Sequence, residues 1–405
     1  MAARKKKKII KKAKKKKVKK ISPKKKVVKL SKKVKIKKSK IASTAIRRRG
    51  GKLKNKIVKK VVRRKIKKKV ELKRAFHNPV ITPRAHHWES KATFNPSAFT
   101  ANDRVHLIYR AIGDNDTSVL GYAMSKNGYN IDERLPHFVY RRFNNFAKAD
   151  KTILPIDYIS GGGWNGGCED PRLTRIGDKV YMLYTAFDGW GSLRIALTAI
   201  NLDDMEHKKW NWKKPVLISP PHEINKNWVL FPEKINGKYA ILHSFYPKIL
   251  INYFDSLDEL DGKNFIKSNN TRPVDESRGW DSWFRGVGPA PLKTDLGWLI
   301  LYHAMDHRNP DRYRIGALIL DINNPTQVLY RSVNPILEPE EYYENNGYKW
   351  GVVYTCGAVI KDGELIVYYG GADKVIGIAS ISLAELLNDL KQHKEIRLKK
   401  QSTEI

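Results

Sequence analysis

The chain has 405 residues and a formal net charge of +39, from 79 Lys and Arg against 40 Asp and Glu. Its two cysteines, Cys168 and Cys356, form no C-x-x-C pair, so the sequence supports neither a disulfide framework nor a zinc site. The basic N-terminus lacks the apolar run of a signal peptide, and no stretch approaches the ~18 apolar residues of a membrane span. We therefore expect a soluble, intracellular protein of the cytoplasm.

Nearly all of the charge imbalance lies in residues 1–74, which hold 39 Lys and Arg and one acid, Glu71. Because lysine runs repel one another and bury little, we expect a disordered polybasic tail here. The tail can be a solvated extension, or it can bind nucleic acid or another polyanion non-specifically through phosphates. No aromatic residue precedes Phe76, so the tail offers no ring on which bases could stack.

Residues 75–405 are nearly neutral and have a different texture, with short runs of Val, Ile, Tyr and Trp between Gly, Asn, Asp and Pro turns. This pattern predicts an all-β domain. A short C-terminal helix is predicted at 383–392, where Leu recurs at helical spacing. Five copies of a strand pair recur along the domain: 106–113 with 119–125, 181–189 with 194–200, 239–245 with 249–254, 298–306 with 313–320, and 365–373 with 375–382.

The first strands of these pairs end at steps of 75, 59, 60 and 66 residues. Five copies at such steps favour a five-bladed β-propeller, and a β-sandwich is the alternative. In a propeller the polar residues that end the inner strands meet at a central channel, which would make one concave polar site. The residues expected there are Arg110, Asp114, Asp116, Asp188, His243, His303, Asp306 and Asp373.

The most distinctive local string is GGGWNGGCEDPRLTRIGDKVYMLYTAFDG, at 161–189. Glu169 and Asp170 lie between a Gly-rich loop and the Pro171–Arg172 dipeptide. Gly permits tight turns and Pro restricts the backbone, so this loop can hold a carboxylate rigidly above a pocket. The alternative is an ordinary turn acid that caps its own backbone.

Over residues 78–392, this string and several others resemble glycoside hydrolase family 130, which comprises the β-mannoside phosphorylases and related β-mannosidases. The resemblance implies a five-bladed propeller, in agreement with the repeat. The other strings that carry it are FNPSAF (94–99), IYRAIG with SVLGYAMSKNG (108–128), KNWVLFPEKINGKYAILH (226–243), GWLILYHAMD (297–306), YRIGALILDINNP (313–325), RSVNPILEPEEYYE (331–344) and YYGGAD (368–373).

The resemblance implies that Asp170 donates a proton to the glycosidic oxygen, by way of a sugar hydroxyl, while inorganic phosphate attacks the anomeric carbon with inversion. It implies a phosphate pocket of Arg194, Lys226 and His243. The implied substrate-binding residues are Asn95, Arg110, Asp114, Glu169, His303, Asp306, Tyr369 and Asp373, and Tyr302 and Trp164 are further candidates for the sugar faces. We expect no metal and no cofactor besides phosphate as co-substrate, and a β-mannoside oligosaccharide as partner.

Three departures from the family pattern bear on the phosphate pocket. Ser244 and Phe245 follow His243 where many phosphorylases have Arg-Pro, the string FRGVG (284–288) replaces a Lys-Ile-Gly string, and Gly351 replaces an Asn. Hydrolysis by water therefore stays an alternative, as does a propeller that binds sugar without catalysis. The linkage, the acceptor sugar and the oligomeric state are left open.

Overall fold

Twenty β-strands and two short α-helices occur in the residues that the computed structural model describes, which are 69–141, 164–188, 193–268 and 273–393. The helices are α1, Leu202–Glu206, and α2, Leu383–Gln392, so the predicted C-terminal helix and the nearly all-β composition are confirmed. Neither helix is long and apolar enough to cross a membrane. All described residues fall within one compact unit, Ile66–Ile405.

The strands form five successive units in chain order, and a short strand, β1 (Lys73–Arg74), precedes them. Within each unit, neighbouring strands pair antiparallel. The first unit holds β2 (Ala92–Ala101), β3 (Arg104–Ile112), β4 (Ser118–Ser125) and β5 (Glu133–Arg134), and the second holds β6 (Gly167–Ile176), β7 (Lys179–Phe187), β8 (Leu193–Asn201) and β9 (Val216–Leu217).

The third unit has three strands, and the fourth and fifth complete the series. The third unit contains β10 (Val229–Leu230), β11 (Tyr239–Ser244) and β12 (Leu250–Phe254). The fourth contains β13 (Trp283–Val287), β14 (Leu292–Thr294), β15 (Gly297–Asp306), β16 (Asn309–Leu320) and β17 (Val328–Arg331). The fifth contains β18 (Val353–Lys361), β19 (Glu364–Gly371) and β20 (Val375–Ser382). All five predicted strand pairs are therefore present as antiparallel ladders.

The five units are distributed over four sheets. A single parallel pair, Ser118 with Gly167, joins the first two units into one eight-stranded sheet. Among the described residues, no sheet closes on itself. The arrangement of the units as five blades around a channel accordingly stays a prediction.

Tyrosine rings lie over glycines of the neighbouring strand in three of the five units. The absence of a side chain on the glycine makes room for the ring, because a Cβ there would overlap ring atoms of the tyrosine. This packing buries the tyrosine rings completely and explains part of the sequence repeat. The pairs are Tyr109–Gly121, Tyr302–Gly316 and Tyr369–Gly377.

The N-terminal strand β1 completes the fifth unit by pairing with β20, with Lys73 opposite Ser380. Arg74 Nε donates to Glu344 Oε1 at 2.8 Å, and the Glu344 carboxylate is fully buried. Leu72 lies in the hydrophobic core. Residues 69–74, predicted as the end of the tail, thus belong to the folded unit, because strand pairing and a buried ion pair outweigh their basic composition. The rest of the predicted tail, residues 1–68, lies outside the described residues.

Four of the five units begin with a strand that carries a bulge. Register shifts interrupt β2 between Phe94 and Ser97, β6 between Glu169 and Arg172, β13 between Phe284 and Gly286, and β18 between Thr355 and Gly357. A bulge breaks the two-residue alternation by which a strand is recognised from sequence, so these strands were not predicted. The same bulges position the candidate site.

Candidate active site

Two bulges in neighbouring units direct Asn95 and Asp170 toward each other. Both residues have left-handed backbone conformations, with φ of 46° and 50°, and each is followed by a proline. Asn and Asp tolerate this conformation better than other non-glycine residues, although it still costs about 1–3 kcal/mol. Asn95 Nδ2 donates to Asp170 Oδ1 at 2.8 Å, and both side chains are almost fully buried.

The Asp170 carboxylate is held through one oxygen. Oδ1 accepts the bond from Asn95 and a longer one from Arg110 Nη1 at 3.4 Å. Among the described residues no hydrogen bond reaches Oδ2, so this oxygen can accept one from a ligand. Burial would raise the pKa of Asp170, but the charges of Arg110, Lys226 and Arg172 outweigh burial and keep this pKa below its ordinary value. Asp170 is therefore ionised in the ligand-free site at neutral pH.

Glu169 lies beside Asp170 and connects two cations. Its Oε1 accepts from Arg110 Nη2 at 2.8 Å, and its Oε2 accepts from Lys226 Nζ at 3.2 Å. Glu169 and Arg110 are both buried, so each charge depends on its partners for stabilisation. The structure thus brings together five of the predicted site residues, namely Asn95, Arg110, Glu169, Asp170 and Lys226.

Arg172, which sequence reasoning did not assign to the site, connects the Asp170 backbone to the segments around Asn227 and Gly288. Its guanidinium donates to Asp170 O and to Asn227 Oδ1, both at 2.9 Å, and to Gly288 O at 2.9 Å. Tyr354 OH donates to the same Asn227 oxygen at 2.6 Å. The signal for Arg172 was present in the EDPR string, but the signal for Tyr354 was not, because a tyrosine in a buried strand is usually a core residue.

Asp373 approaches the site from the fifth unit, just after β19. Its φ is 52°, it is 6% exposed, and its carboxylate accepts no hydrogen bond from the described residues. Burial raises the pKa of Asp373 to about 6, and the nearby positive charges of Lys349 and Arg110 only partly oppose this. Asp373 is therefore a carboxyl group with no hydrogen-bond partner among the described residues, and it is near enough to Asp170 for their charges to interact.

His303 is fully buried and stacks on Tyr354, with ring centroids 3.9 Å apart and planes 9° from parallel. Its Nε2 accepts from Thr355 N at 2.9 Å, which assigns the proton to Nδ1. Burial, together with the charge of Arg172, lowers the pKa of His303 to about 3. His303 is consequently a neutral donor near the site rather than a cation.

The predicted phosphate residues differ in their surroundings. Lys226 joins the Asp170 cluster, but the Arg194 guanidinium donates to Ser219 O at 2.9 Å and lies over the Phe265 ring. His243 Nε2 is 2.8 Å from Asn252 Oδ1. In the described part of the chain, no contact joins Arg194 or His243 to Asp170. Of the three residues implied for the phosphate pocket, only Lys226 bonds to the Asp170 cluster in the described part of the chain.

Buried polar atoms without partners nevertheless occur around Lys226. Among the described residues these are Asn225 Oδ1, Trp228 Nε1 and His243 Nδ1, and the rings of Trp228 and His243 are 5.4 Å apart. Buried polar groups normally find a partner, so a water or a ligand group is expected beside this segment. If Lys226 binds an anion, His243 therefore stays a candidate to lie beside that anion.

Three predicted substrate residues have partners outside the Asp170 cluster. Asp306 pairs with Arg308 in its own turn, with Oδ2 accepting at 2.8 Å. Asp114 is more than half exposed and bonds His87 at 2.6 Å. Tyr369 lies in the core and donates to Glu344 Oε1 at 2.8 Å. The bulges of β2 and β6 carry Asn95 and Asp170 into the site, while Arg110 of β3 and Asp373 after β19 come from the second strands of their units.

Of the other candidates from the repeat, Tyr302 is a core ring whose hydroxyl donates to Asp281 Oδ2 at 2.9 Å, so it faces no sugar. Trp164 is exposed, and its neighbour Asn165 bonds Asn115 O at 2.7 Å. Asp116 accepts from Lys91 Nζ at 2.8 Å at the surface.

Comparison with known proteins places the chain in a family. The glycoside hydrolase 130 family model, described as beta-1,4-mannooligosaccharide phosphorylase, matches residues 59–392. The chain is 39% identical over 329 residues to a 1,2-beta-oligomannan phosphorylase of Thermoanaerobacter sp., which covers 78% of this chain and 99% of the relative. It is 37% identical over 311 residues to a beta-1,2-mannobiose phosphorylase of the same organism, with coverage of 76% and 97%.

A solved structure is similar as well. The beta-1,2-mannobiose phosphorylase from Listeria innocua, in complex with beta-1,2-mannobiose, is 27% identical to this chain, and the two superpose with a TM-score of 0.60. The match covers 80% of this chain and 98% of that one. The similarity therefore extends over nearly the whole length of these proteins.

Proposed function

The chain belongs to glycoside hydrolase family 130, and from this premise we propose that it cleaves β-mannosides with inorganic phosphate to give α-mannose 1-phosphate. Its class, a glycoside phosphorylase acting on β-mannosides, rests on the family match and on relatives aligned over nearly their entire length. We propose a β-1,2 linkage for the substrate, because the two relatives at 39% and 37% identity are phosphorylases of β-1,2-mannosides.

The observation that carries the proposal is the arrangement around Asp170. Asn95 and Arg110 hold one carboxylate oxygen, the second oxygen has no partner among the described residues, and the backbone of Asp170 is left-handed. A strained backbone at a functional site is typical of a group held in place for chemistry. In this proposal, Asp170 supplies a proton to the leaving oxygen through a sugar hydroxyl.

The low pKa of Asp170 in the ligand-free site requires an explanation, because a general acid must carry a proton. Arg110, Lys226 and Arg172 are the charges that keep this pKa low. A phosphate dianion bound beside Lys226 would offset those charges, so the pKa of Asp170 would rise when phosphate binds. Phosphate binding would then be accompanied by proton uptake, and the acid would be protonated only when the nucleophile is present.

The proposed reaction balances as a single inverting displacement. A phosphate oxygen forms a bond to the anomeric carbon on the face opposite the leaving group, and the bond from that carbon to the glycosidic oxygen breaks. The electron pair of this bond stays on the oxygen, which takes the proton that originates on Asp170. Phosphate is already a nucleophile, so the protein's task is to position it and to balance its charge.

Incubation of β-1,2-mannobiose with the protein, in the presence and absence of phosphate, tests the proposal. We expect mannose and α-mannose 1-phosphate in a one-to-one ratio, with the sugar phosphate detected by phosphorus NMR. Without phosphate, we expect no cleavage. Equal mannose release in both samples, with no sugar phosphate, would establish the hydrolytic alternative. That alternative has one observation in its favour, since Arg194 and His243 bond neighbours other than the Asp170 cluster. Cleavage of β-1,4-mannobiose instead would correct the linkage.

Two further features complete the proposal. We infer that the five strand units are the blades of a propeller, since each is an antiparallel series and β1 completes the last from the N-terminal side. We also propose that the basic segment, with 39 Lys and Arg in residues 1–74, binds polyanions non-specifically. The affinity of the full chain for duplex DNA should then fall steeply with salt, and weak, salt-independent binding would contradict this role.

A further inference from the structure

A pinned loop beside the site carries two exposed aromatic side chains. Tyr348 and Trp350 are 48% and 55% exposed, and they flank Lys349 in the segment between a short 3-10 turn, Tyr342–Glu344, and strand β18. Single exposed aromatics are ordinary on protein surfaces, but a pair on either side of a lysine forms a patch. We call residues 348–350 the aromatic rim.

The backbone of this segment is held in three places, so the exposure of its side chains does not come from a loose loop. Lys349 N donates to Ala372 O at 3.1 Å, and Val352 N donates to Glu344 O at 3.1 Å. Tyr313 N donates to Gly351 O at 2.9 Å, and Gly351 takes a φ of 71° that glycine adopts without strain. The rim is therefore a fixed surface that spans the fourth and fifth units.

The rim is continuous with the catalytic cluster. Ala372, which binds the rim backbone, directly precedes Asp373 in the chain. The Lys349 ammonium lies 4.7 Å from the centre of the Tyr313 ring and is close enough to Asp373 to act on its charge. The rim is therefore bonded directly to the residue that precedes Asp373.

The Asp170 cluster is deeply buried, and this depth indicates which ligand would reach the exposed aromatic rim. Asn95, Asp170 and Asp373 are each at most 6% exposed, so the sugar that is cleaved off lies below the surface. The remaining sugars of a longer substrate must pass outward. A pyranose presents an apolar C–H face, which suits a flat aromatic ring, and hydroxyls, which suit a lysine donor.

We propose that Tyr348, Lys349 and Trp350 bind the sugar that follows the first leaving mannose, so that the enzyme prefers oligosaccharides longer than the disaccharide. This inference rests on the proposed function and adds to it the length of the substrate. Ring stacking of one additional sugar is expected to improve recognition by about tenfold, which corresponds to about 1.4 kcal/mol.

The test compares kcat/KM for the mannobiose and the mannotriose of one linkage, at saturating phosphate, in the wild type and in Tyr348→Ala, Trp350→Ala and the double variant. We expect the wild type to favour the trisaccharide about tenfold, and the double variant to lose this preference while its value for the disaccharide stays within about twofold. Tyr253→Ala is the matched control, because Tyr253 is an exposed ring on β12 of the third unit. The control should keep the preference.

Equal kcat/KM for both lengths in the wild type, or an unchanged preference in the double variant, would overturn the inference and leave the proposed function intact. If no sugar phosphate forms, the proposed function fails, and calorimetric titration with the two oligosaccharides decides the rim separately. Tighter trisaccharide binding that is lost in the double variant supports the rim, whereas equal binding overturns it.

Discussion

Asn95 and Asp170 occupy matching bulges in neighbouring units, and Asn95 Nδ2 donates to Asp170 Oδ1 at 2.8 Å. The φ angles of the two residues, 46° and 50°, are nearly equal, and a proline follows each. One local conformation has therefore been used twice, with an amide in one unit and a carboxylate in the next. The pairing orients the carboxylate and leaves its second oxygen for the substrate.

Replacement of the proposed acid should abolish catalysis without unfolding the protein. In Asp170→Asn, we expect kcat to fall about 1,000-fold, since general acid catalysis contributes on the order of 10²–10⁴. The thermal midpoint should change little. Asp306→Asn is the control, because Asp306 pairs with Arg308 away from the cluster, and it should retain near-normal phosphorolysis. Full activity in Asp170→Asn would remove Asp170 from the mechanism.

The position of Asn95 depends on a small neighbour in β19. A Cβ on Gly370 would overlap the side-chain oxygen of Asn95, so Gly370→Ala must displace the residue that orients Asp170. We expect a loss of about 100-fold in kcat/KM, because small misplacements of catalytic groups cost rates of that order. At Gly279, no atom lies within 4 Å of an added Cβ, so Gly279→Ala should be neutral. Equal activity in the two variants would contradict the positioning role of Asn95.

Asp373 should give a pH-dependent stability difference. Burial raises its pKa in the folded protein from 3.8 to about 6. Between about pH 4 and pH 6, the native state keeps a proton on Asp373 that the unfolded state has lost. This group therefore lowers the free energy of unfolding as pH rises, by about 3 kcal/mol at most above pH 6. Chemical denaturation should therefore show Asp373→Asn to be more stable than the wild type at pH 8 and similar at pH 4.

The same variant should bind sugar poorly, because the Asp373 carboxylate accepts no hydrogen bond from the described residues and can accept one from a sugar hydroxyl. A higher KM for the mannoside together with a higher stability at pH 8 is the expected combination. A variant that is less stable than the wild type at pH 8 would show that Asp373 has a structural partner instead.

Lys226 should determine the use of phosphate. Lys226→Gln removes the ammonium group that lies 3.2 Å from Glu169 Oε2. Because this positive charge would attract phosphate, we expect the KM for phosphate to rise more than tenfold. Initial rates at varied phosphate and constant mannoside measure this. Lys238→Gln is the control, since Lys238 is an exposed lysine paired with Asp255 in the third unit. An unchanged KM for phosphate in Lys226→Gln would place the nucleophile elsewhere.

The strand pairs and the C-terminal helix could be predicted because their apolar residues alternate, or recur at helical spacing, without interruption. The first strands could not be predicted, because the bulges at Asn95 and Asp170 break the alternation and a proline follows each one. The same bulges carry the site. Asp306 was assigned to the site because strand ends were expected to converge, and Tyr369 because of the family resemblance. The structure places Asp306 in a surface turn and Tyr369 in the core.

By itself, the sequence determined the near-all-β composition, the five repeated strand pairs, the confinement of the basic excess to residues 1–74, and the candidate acid Asp170 through its family motif. These properties are local, since they depend on neighbouring residues and on their periodicity. Only the tertiary structure decided which charges surround Asp170, and that Arg172, Asn227 and Tyr354 support its loop. Those contacts join residues far apart in the chain, where spacing carries no information about distance, and the balance of burial against charge that sets each pKa follows from them.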